Sequence, residues 1–86
     1  MRESEIEKAC TEYARKQGWH TFKLAGPGDR GKPDRLYYRD GRTLFVEYKT
    51  SKGRLSALQE RTLRRLRESG MDAFVIRSVE EACRVF

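Results

Sequence analysis

A chain of 86 residues is the size of one domain, and one this short buries only about 60–65% of the surface its unfolded form exposes, so its core is modest. Hydrophobic and charged residues each make up 37% of it, a balance too apolar for a disordered tail and one that leaves a largely ionic surface. The net charge of +6 favours polyanionic partners, nucleic acid first and acidic membrane second, while no apolar run approaches the ~20 residues needed to cross a bilayer.

Met1 to Gln17 carries charges every second or third residue, unlike a signal peptide, and the expected location is the cytoplasm. Within this segment Ile6, Cys10, Tyr13 and Ala14 fall at helical spacing and Gly18 is a natural stop, so Glu3 to Gln17 reads as an amphipathic helix. Trp19 to Leu24 alternates as a strand does, with His20, Phe22 and Leu24 on one side and Trp19, Thr21 and Lys23 on the other. His20 reads as a core or interface residue rather than a general base. Residues 25–33, "AGPGDRGKP", hold three glycines and both prolines and read as a loop, mobile in the absence of a ligand and able to close on one.

Arg35 to Tyr38 and Thr43 to Lys49 flank Asp40-Gly41, a strong hairpin signal. Ser56 and Gln59 form a capping box ahead of a helix whose apolar stripe is Leu58, Leu63 and Leu66 and which Gly70 ends. Ala73 to Ile76 is a short apolar strand, and Ser78 with Glu81 forms a second capping box before a terminal helix. The cysteines, Cys10 and Cys83, have no metal-ligand spacing and are expected as buried thiols of the two terminal helices. The order α-β-β-β-α-β-α implies an α/β fold with one mixed central sheet and flanking helices.

With Asp40 and Gly41 as the turn residues, paired hairpin positions sum to 81. An unbulged register then sets Asp34 opposite Glu47, with Cβ atoms roughly 4.5–5.5 Å apart, and the period of two points Lys49 to the same face. Leu36 pairs with Phe45 and Tyr37 with Leu44, so the hairpin carries apolar pairs on both faces and is expected to be covered on each. Opposed carboxylates destabilise a ladder unless a raised pKa, a salt bridge or a bound cation relieves them. A salt-bridge cluster with Lys49 is one explanation. The other is a hard divalent cation, which takes oxygen ligands and shares its shell with substrate phosphate. Acidic groups in the cleft of a basic protein serve no purpose in mere nucleic-acid binding, whereas phosphodiester hydrolysis needs a metal at the phosphate, a deprotonated water and a nearby cation.

Asp34 preceded by Gly31-Lys32-Pro33, followed by Glu47-Tyr48-Lys49 across the hairpin, is similar to the PD-(D/E)xK nuclease signature. More closely, "GDRGKPDR", "LFVEYKT" and "GRLSALQ" together resemble the VRR-NUC family, small nucleases of bacteria and phages that also occur as domains of larger eukaryotic repair enzymes. The likeness runs from Glu7 to Val75. It implies a restriction-endonuclease-like core over residues 1–86, in a bacterial or phage-infected cell. It also implies an Mg²⁺-dependent endodeoxyribonuclease, with Mn²⁺ substituting, that acts in recombination and repair. Asp34 and Glu47 match the metal-binding acids, and the Tyr48 carbonyl is implied to complete their shell. Lys49 matches the catalytic lysine, and Gln59 matches a glutamine near the scissile phosphate or metal waters. Glu7 resembles a helix-borne acid that supports the metal in archaeal Holliday-junction resolvases. Two have bland alternatives: Glu7 as one of several solvated carboxylates, and Gln59 as a capping residue.

Arg30, Lys32 and Arg35 bracket Asp34, and Lys52 and Arg54 follow the Glu47 strand, so these five are the candidate DNA contacts. The arginines at 61, 64, 65 and 67 are left unassigned. No base-reading motif is present, so branched-DNA shape is the expected determinant of specificity. The resemblance implies a homodimer resolving four-way junctions, and Trp19, Phe22 or Val85-Phe86 are candidate apolar contacts for it. The competing reading is a non-catalytic nucleic-acid-binding module on the same fold. A sequence-specific restriction-type nuclease ranks third, because 86 residues leave little room for a reading domain.

Overall fold

A computed structural model describes residues 1–24, 26, 28 and 30–86. The elements run in the expected order: α1 Glu3–Lys16, β1 His20–Lys23, β2 Arg35–Arg39, β3 Arg42–Tyr48, α2 Ala57–Glu68, β4 Asp72–Ile76 and α3 Val79–Val85. They form one four-stranded sheet in the order β1-β2-β3-β4, antiparallel at the first two junctions and parallel at the last. Of the loop expected at residues 25–33, Ala25, Pro27 and Asp29 lie outside the described residues.

The hairpin turn is built as its sequence requires. Asp40 and Gly41 both take positive φ, 49° and 80°, the left-handed conformation that a two-residue turn matching the sheet twist demands. The register pairs Arg39 with Arg42, Tyr37 with Leu44 and Leu36 with Phe45, as the arithmetic predicts. It stops one step short of the acidic couple, however. Arg35 pairs with Val46 as the last rung, and Asp34 lies just outside β2.

One side of the sheet makes the core. Tyr37, Leu44, Val46, Tyr48 and Ile76 meet Ile6, Cys10 and Ala14 of α1 and Ala82 of α3, all buried. Through this packing runs a chain of hydroxyls, Thr11 Oγ1 to Tyr37 OH at 2.8 Å and Tyr37 OH to Tyr48 OH at 2.5 Å, which satisfies three polar groups in the interior. The opposite side is only partly covered. Leu63 of α2 and Ala73 of β4 are buried there, while Phe22 and Tyr38 on β1 and β2 remain 51% and 45% exposed. The expectation of cover on both faces therefore holds over β3 and β4 and fails over β1 and β2, because α2 is a single 12-residue helix.

Several local expectations change. Trp19 precedes β1 rather than opening it, and its ring is buried against Phe86, with centroids 5.8 Å apart, under the Arg39 guanidinium at 4.7 Å. Trp19 therefore belongs to the chain's own core and is not a free dimer contact, while Phe86, which also packs on Tyr37, is half-buried against that core. Cys10 is buried as expected, but Cys83 is exposed, because α3 spans seven residues and turns only part of its surface inward. The Ser56–Gln59 capping box forms in full. At α3 the Ser78 hydroxyl accepts from the Glu81 amide, but the Glu81 carboxylate reaches past the cap to the amide of Arg77.

Removing a side chain from the two sides should have unequal cost. Leu44→Ala leaves a cavity at a fully buried position and is expected to lower stability by about 3 kcal/mol. Phe22→Ala is expected to cost under ~1 kcal/mol, since it removes a half-exposed ring. Urea denaturation of both variants checks the contrast.

Candidate active site

The site begins where the hairpin ladder ends. Pro33, buried, breaks β2 on its N-terminal side, since proline has no N–H to give a ladder. The residue that would donate to the Tyr48 carbonyl in a continued ladder is this proline, and the Tyr48 N–H donates to the Asp34 carboxylate instead of to a main-chain carbonyl, with Oδ2 accepting at 2.8 Å. Asp34 is held at its backbone too, its carbonyl accepting from the Leu24 amide at 3.0 Å. The carboxylate is thus fixed by the end of the sheet rather than by cross-strand pairing. In a strand the N–H and C=O of one residue point the same way, so the Tyr48 carbonyl lies on Asp34's side, beyond the last rung.

Glu47 is 3% exposed and faces α2. Its Oε2 accepts from Gln59 Nε2 at 3.1 Å and lies 4.0 Å from Lys49 Nζ. Gln59 does two jobs at once: its amide oxygen accepts from the Ser56 amide at 2.9 Å while its amide nitrogen holds Glu47. The capping role and the contact with the acidic couple coexist because the two ends of the side-chain amide have opposite hydrogen-bonding character.

Burial, reinforced by the charge of Asp34 and opposed by Lys49, pushes the Glu47 carboxyl up to about 8. Asp34 is raised as well, again by burial, with the Tyr48 N–H opposing the rise. Two carboxyls held up in this way form a site that a cation would relieve. Among the described residues no three His, Cys, Asp or Glu side chains gather into a metal-binding group. The available donors are the two carboxylates and the Tyr48 carbonyl, a small all-oxygen set that suits an ion retaining several waters, as Mg²⁺ does.

Glu7 stands apart from this pair. Its Oε2 accepts from Arg35 Nε at 2.7 Å and lies 3.6 Å from Lys23 Nζ, on the α1 side of the sheet. Its charge still contributes to the rise of both Asp34 and Glu47. The reading of Glu7 as merely solvated does not describe it, since it is half-buried and engaged. Arg35 is accordingly occupied by an ion pair and 16% exposed, whereas Arg30, Lys32, Lys52 and Arg54 are exposed. Of the helix arginines, Arg67 donates to the Ala73 carbonyl, and Arg64 lies 3.9 Å from Glu68.

Sequence reasoning missed Arg77. Its Nη1 donates to the carbonyls of Thr50 at 2.8 Å and Gly53 at 2.6 Å, bracing the loop that follows Lys49 and carries Lys52. Only the parallel β3–β4 pairing, with Tyr48 beside Ile76, brings the two C-terminal strand ends together, and no local pattern around Arg77 announces it. No helix of the described residues is long and apolar enough to cross a membrane.

Comparison with known proteins agrees with this geometry. Residues 9–80 match the VRR-NUC domain. The chain is 37% identical over 79 residues to "Putative nuclease p44" of Acyrthosiphon pisum secondary endosymbiont phage 1, covering 91% of this chain and 85% of that one. A solved VRR-NUC domain superposes with a TM-score of 0.86 at 28% identity, covering 96% of this chain and 91% of the other. Hjc of Archaeoglobus fulgidus, a Holliday junction resolvase, superposes with a TM-score of 0.67 at 25% identity over 87% of this chain and 67% of its own. With the acidic couple, the lysine and the glutamine brought together on this resolvase-like fold, the chain belongs to the VRR-NUC family of nucleases.

Proposed function

We propose that this protein is a divalent-metal-dependent, structure-selective DNA endonuclease that hydrolyses phosphodiester bonds in branched DNA, four-way junctions first, as a homodimer. The observation that carries this reading is the buried Glu47 carboxyl, held by Gln59 beside Asp34 and Lys49 at the open end of a sheet in a strongly basic chain. The likeness to an archaeal junction resolvase supports the choice of substrate.

Asp34, Glu47 and the Tyr48 carbonyl would hold the ion. Bound there, Mg²⁺ or Mn²⁺ would supply Lewis acidity at the phosphate and make a bound water more acidic. The chain does the rest. The Tyr48 N–H and the Gln59 amide fix one oxygen of each carboxylate, so that the acids are set before substrate arrives and no reorganisation is needed. Lys49 places a positive charge beside the reacting group, where it can orient the attacking water or stabilise charge developing on the phosphate. Glu7 reinforces the negative field that favours a cation and keeps Arg35 turned toward α1. Arg30, Lys32, Lys52 and Arg54 supply phosphate contacts around the couple, and the Arg77 brace keeps the Lys52 loop in position. Two protomers related by a two-fold axis would present two such sites to two symmetric strands.

Cleavage of labelled four-way junction, flap, splayed-arm and linear duplex in Mg²⁺, Mn²⁺ or EDTA tests the reading. The wild type is expected to cut the junction in either metal and not in EDTA, and to cut linear duplex least. Asp34→Asn, Glu47→Gln and Lys49→Ala are each expected to lose on the order of 10²–10³-fold or more in rate. Cutting that survives EDTA, or equal rates for wild type and variants, would overturn it; binding without cutting would favour the non-catalytic module. Sedimentation velocity checks the dimer.

The titration of the couple gives a second test. In metal-free protein Glu47 holds its proton up to about 8 against an ordinary value of 4.5, so between those limits the folded state binds more protons than the unfolded. Stability should therefore fall as pH rises from about 4.5 to 8, and Asp34, also raised by burial, acts in the same direction from its ordinary value upward. Melting in EDTA is expected to drop by roughly 10 °C or more across this window. Glu47→Gln should flatten most of the dependence, and Mg²⁺ should restore the wild type more at pH 8 than at pH 5.

A further inference from the structure

We propose that His20, Phe22 and Tyr38 form a stacking platform for an unpaired base of the DNA strand leading to the Glu47 site, an inference that rests on the nuclease reading above. The rings sit on the part of the sheet that α2 leaves open. His20 and Tyr38 are neighbours across the β1–β2 ladder and are already stacked, with centroids 5.2 Å apart and planes at 28°. Phe22 lies 6.3 Å from Tyr38, and all three side chains are exposed. The same segments bury their other aromatics, Trp19 and Tyr37, completely or nearly so. These three rings are thus the aromatic surface of β1 and β2 that the fold leaves outside.

Register places the platform on the face that carries the chemistry. Phe22 pairs with Leu36, Leu36 pairs with Phe45, and Phe45 stands two residues before Glu47, so all four residues share one face. Two strand spacings across and two residues along put Phe22 about 12 Å from Glu47, some three to four steps of a strand rising 3.4 Å per nucleotide. A cleft of about 410 Å³ at the edge of β1 is lined by His20 and Tyr38 together with Arg15, Trp19 and Thr21, so one guanidinium of α1 shares a cleft with two of the rings. Rings offer a base its face and a nearby guanidinium offers a phosphate its charge, which is how single strands are held without reading sequence. The net charge of +6 favours a polyanion on this patch over a second, equally basic copy of the chain. A platform three to four nucleotides from the scissile phosphate would favour DNA whose strands part near the cut, such as the branch points of flaps and junctions.

The test compares binding to a splayed-arm substrate and to continuous duplex, by fluorescence anisotropy in EDTA. The Phe22→Ala/Tyr38→Ala double variant is expected to bind the splayed arm about 5- to 100-fold more weakly and the continuous duplex unchanged. Tyr38→Trp should keep the affinity, and its indole emission, set against the buried Trp19, should be quenched by the arm. A double variant that binds the arm as tightly as the wild type, or loses both substrates equally, overturns the platform. So does a wild-type dimer that the double variant converts to monomers while each protomer's affinity for the arm is kept, since the patch would then be a self-association surface. The binding comparison decides the platform whether or not the wild type cuts; a wild type that cuts nothing in Mg²⁺ or Mn²⁺ counts against the nuclease reading alone.

Discussion

One hydrogen bond, from the Tyr48 amide to the Asp34 carboxylate, joins the fold of this protein to its chemistry. It closes the end of a β-ladder that Pro33 has cut short, and in doing so converts an aspartate that would have been an awkward strand residue into a fixed one. The same residue that donates it anchors its own side chain in the core through the Tyr37 and Thr11 hydroxyls. Tyr48 therefore transmits the rigidity of the interior to the half-buried acid. A loop carboxylate without that tie would pay an ordering cost each time it bound an ion.

The division of the sheet into two unlike sides follows from how little chain there is. α1 and α3 together cover one side, where Tyr37, Leu44, Val46, Tyr48 and Ile76 of β2, β3 and β4 are buried. α2 is left to cover the other and manages half. Beneath its N-terminal turn it buries Glu47 and supplies Gln59, so the cost of desolvating a carboxylate is met by a neutral amide and a lysine at the limit of ion-pair distance. Such partial compensation leaves the couple short of positive charge, which is the electrostatic condition a divalent cation answers. Over β1 and β2 there is no helix, and rings stay exposed.

Charge is distributed with the same economy. Several basic side chains that look interchangeable in the sequence have separate duties. Arg35 neutralises Glu7, Arg67 caps the Ala73 carbonyl, and Arg77 ties down the loop after Lys49. Those left exposed near the couple, Arg30, Lys52 and Arg54, are the ones a phosphate could reach.

The elements, their order, the Asp-Gly turn, the hairpin register and the capping box at α2 were all legible in the sequence, because each depends on residues close together in the chain. The nearness of Lys49 to Glu47 follows from a period of two, whereas Asp34 comes to them from outside the ladder, held by the Tyr48 amide. What local reasoning misjudged lay at the limits of elements: it continued the ladder to Asp34, turned Trp19 into a strand residue, and buried Cys83. Those outcomes depend on where packing partners lie, as Phe86 does for Trp19, and on a proline that ends pairing. The brace from Arg77, the pairing of Glu7 with Arg35 and the half-open face were decided only by the tertiary structure. They join residues 24 to 28 positions apart, or reflect how far one helix can reach, and short-range pattern carries no record of either.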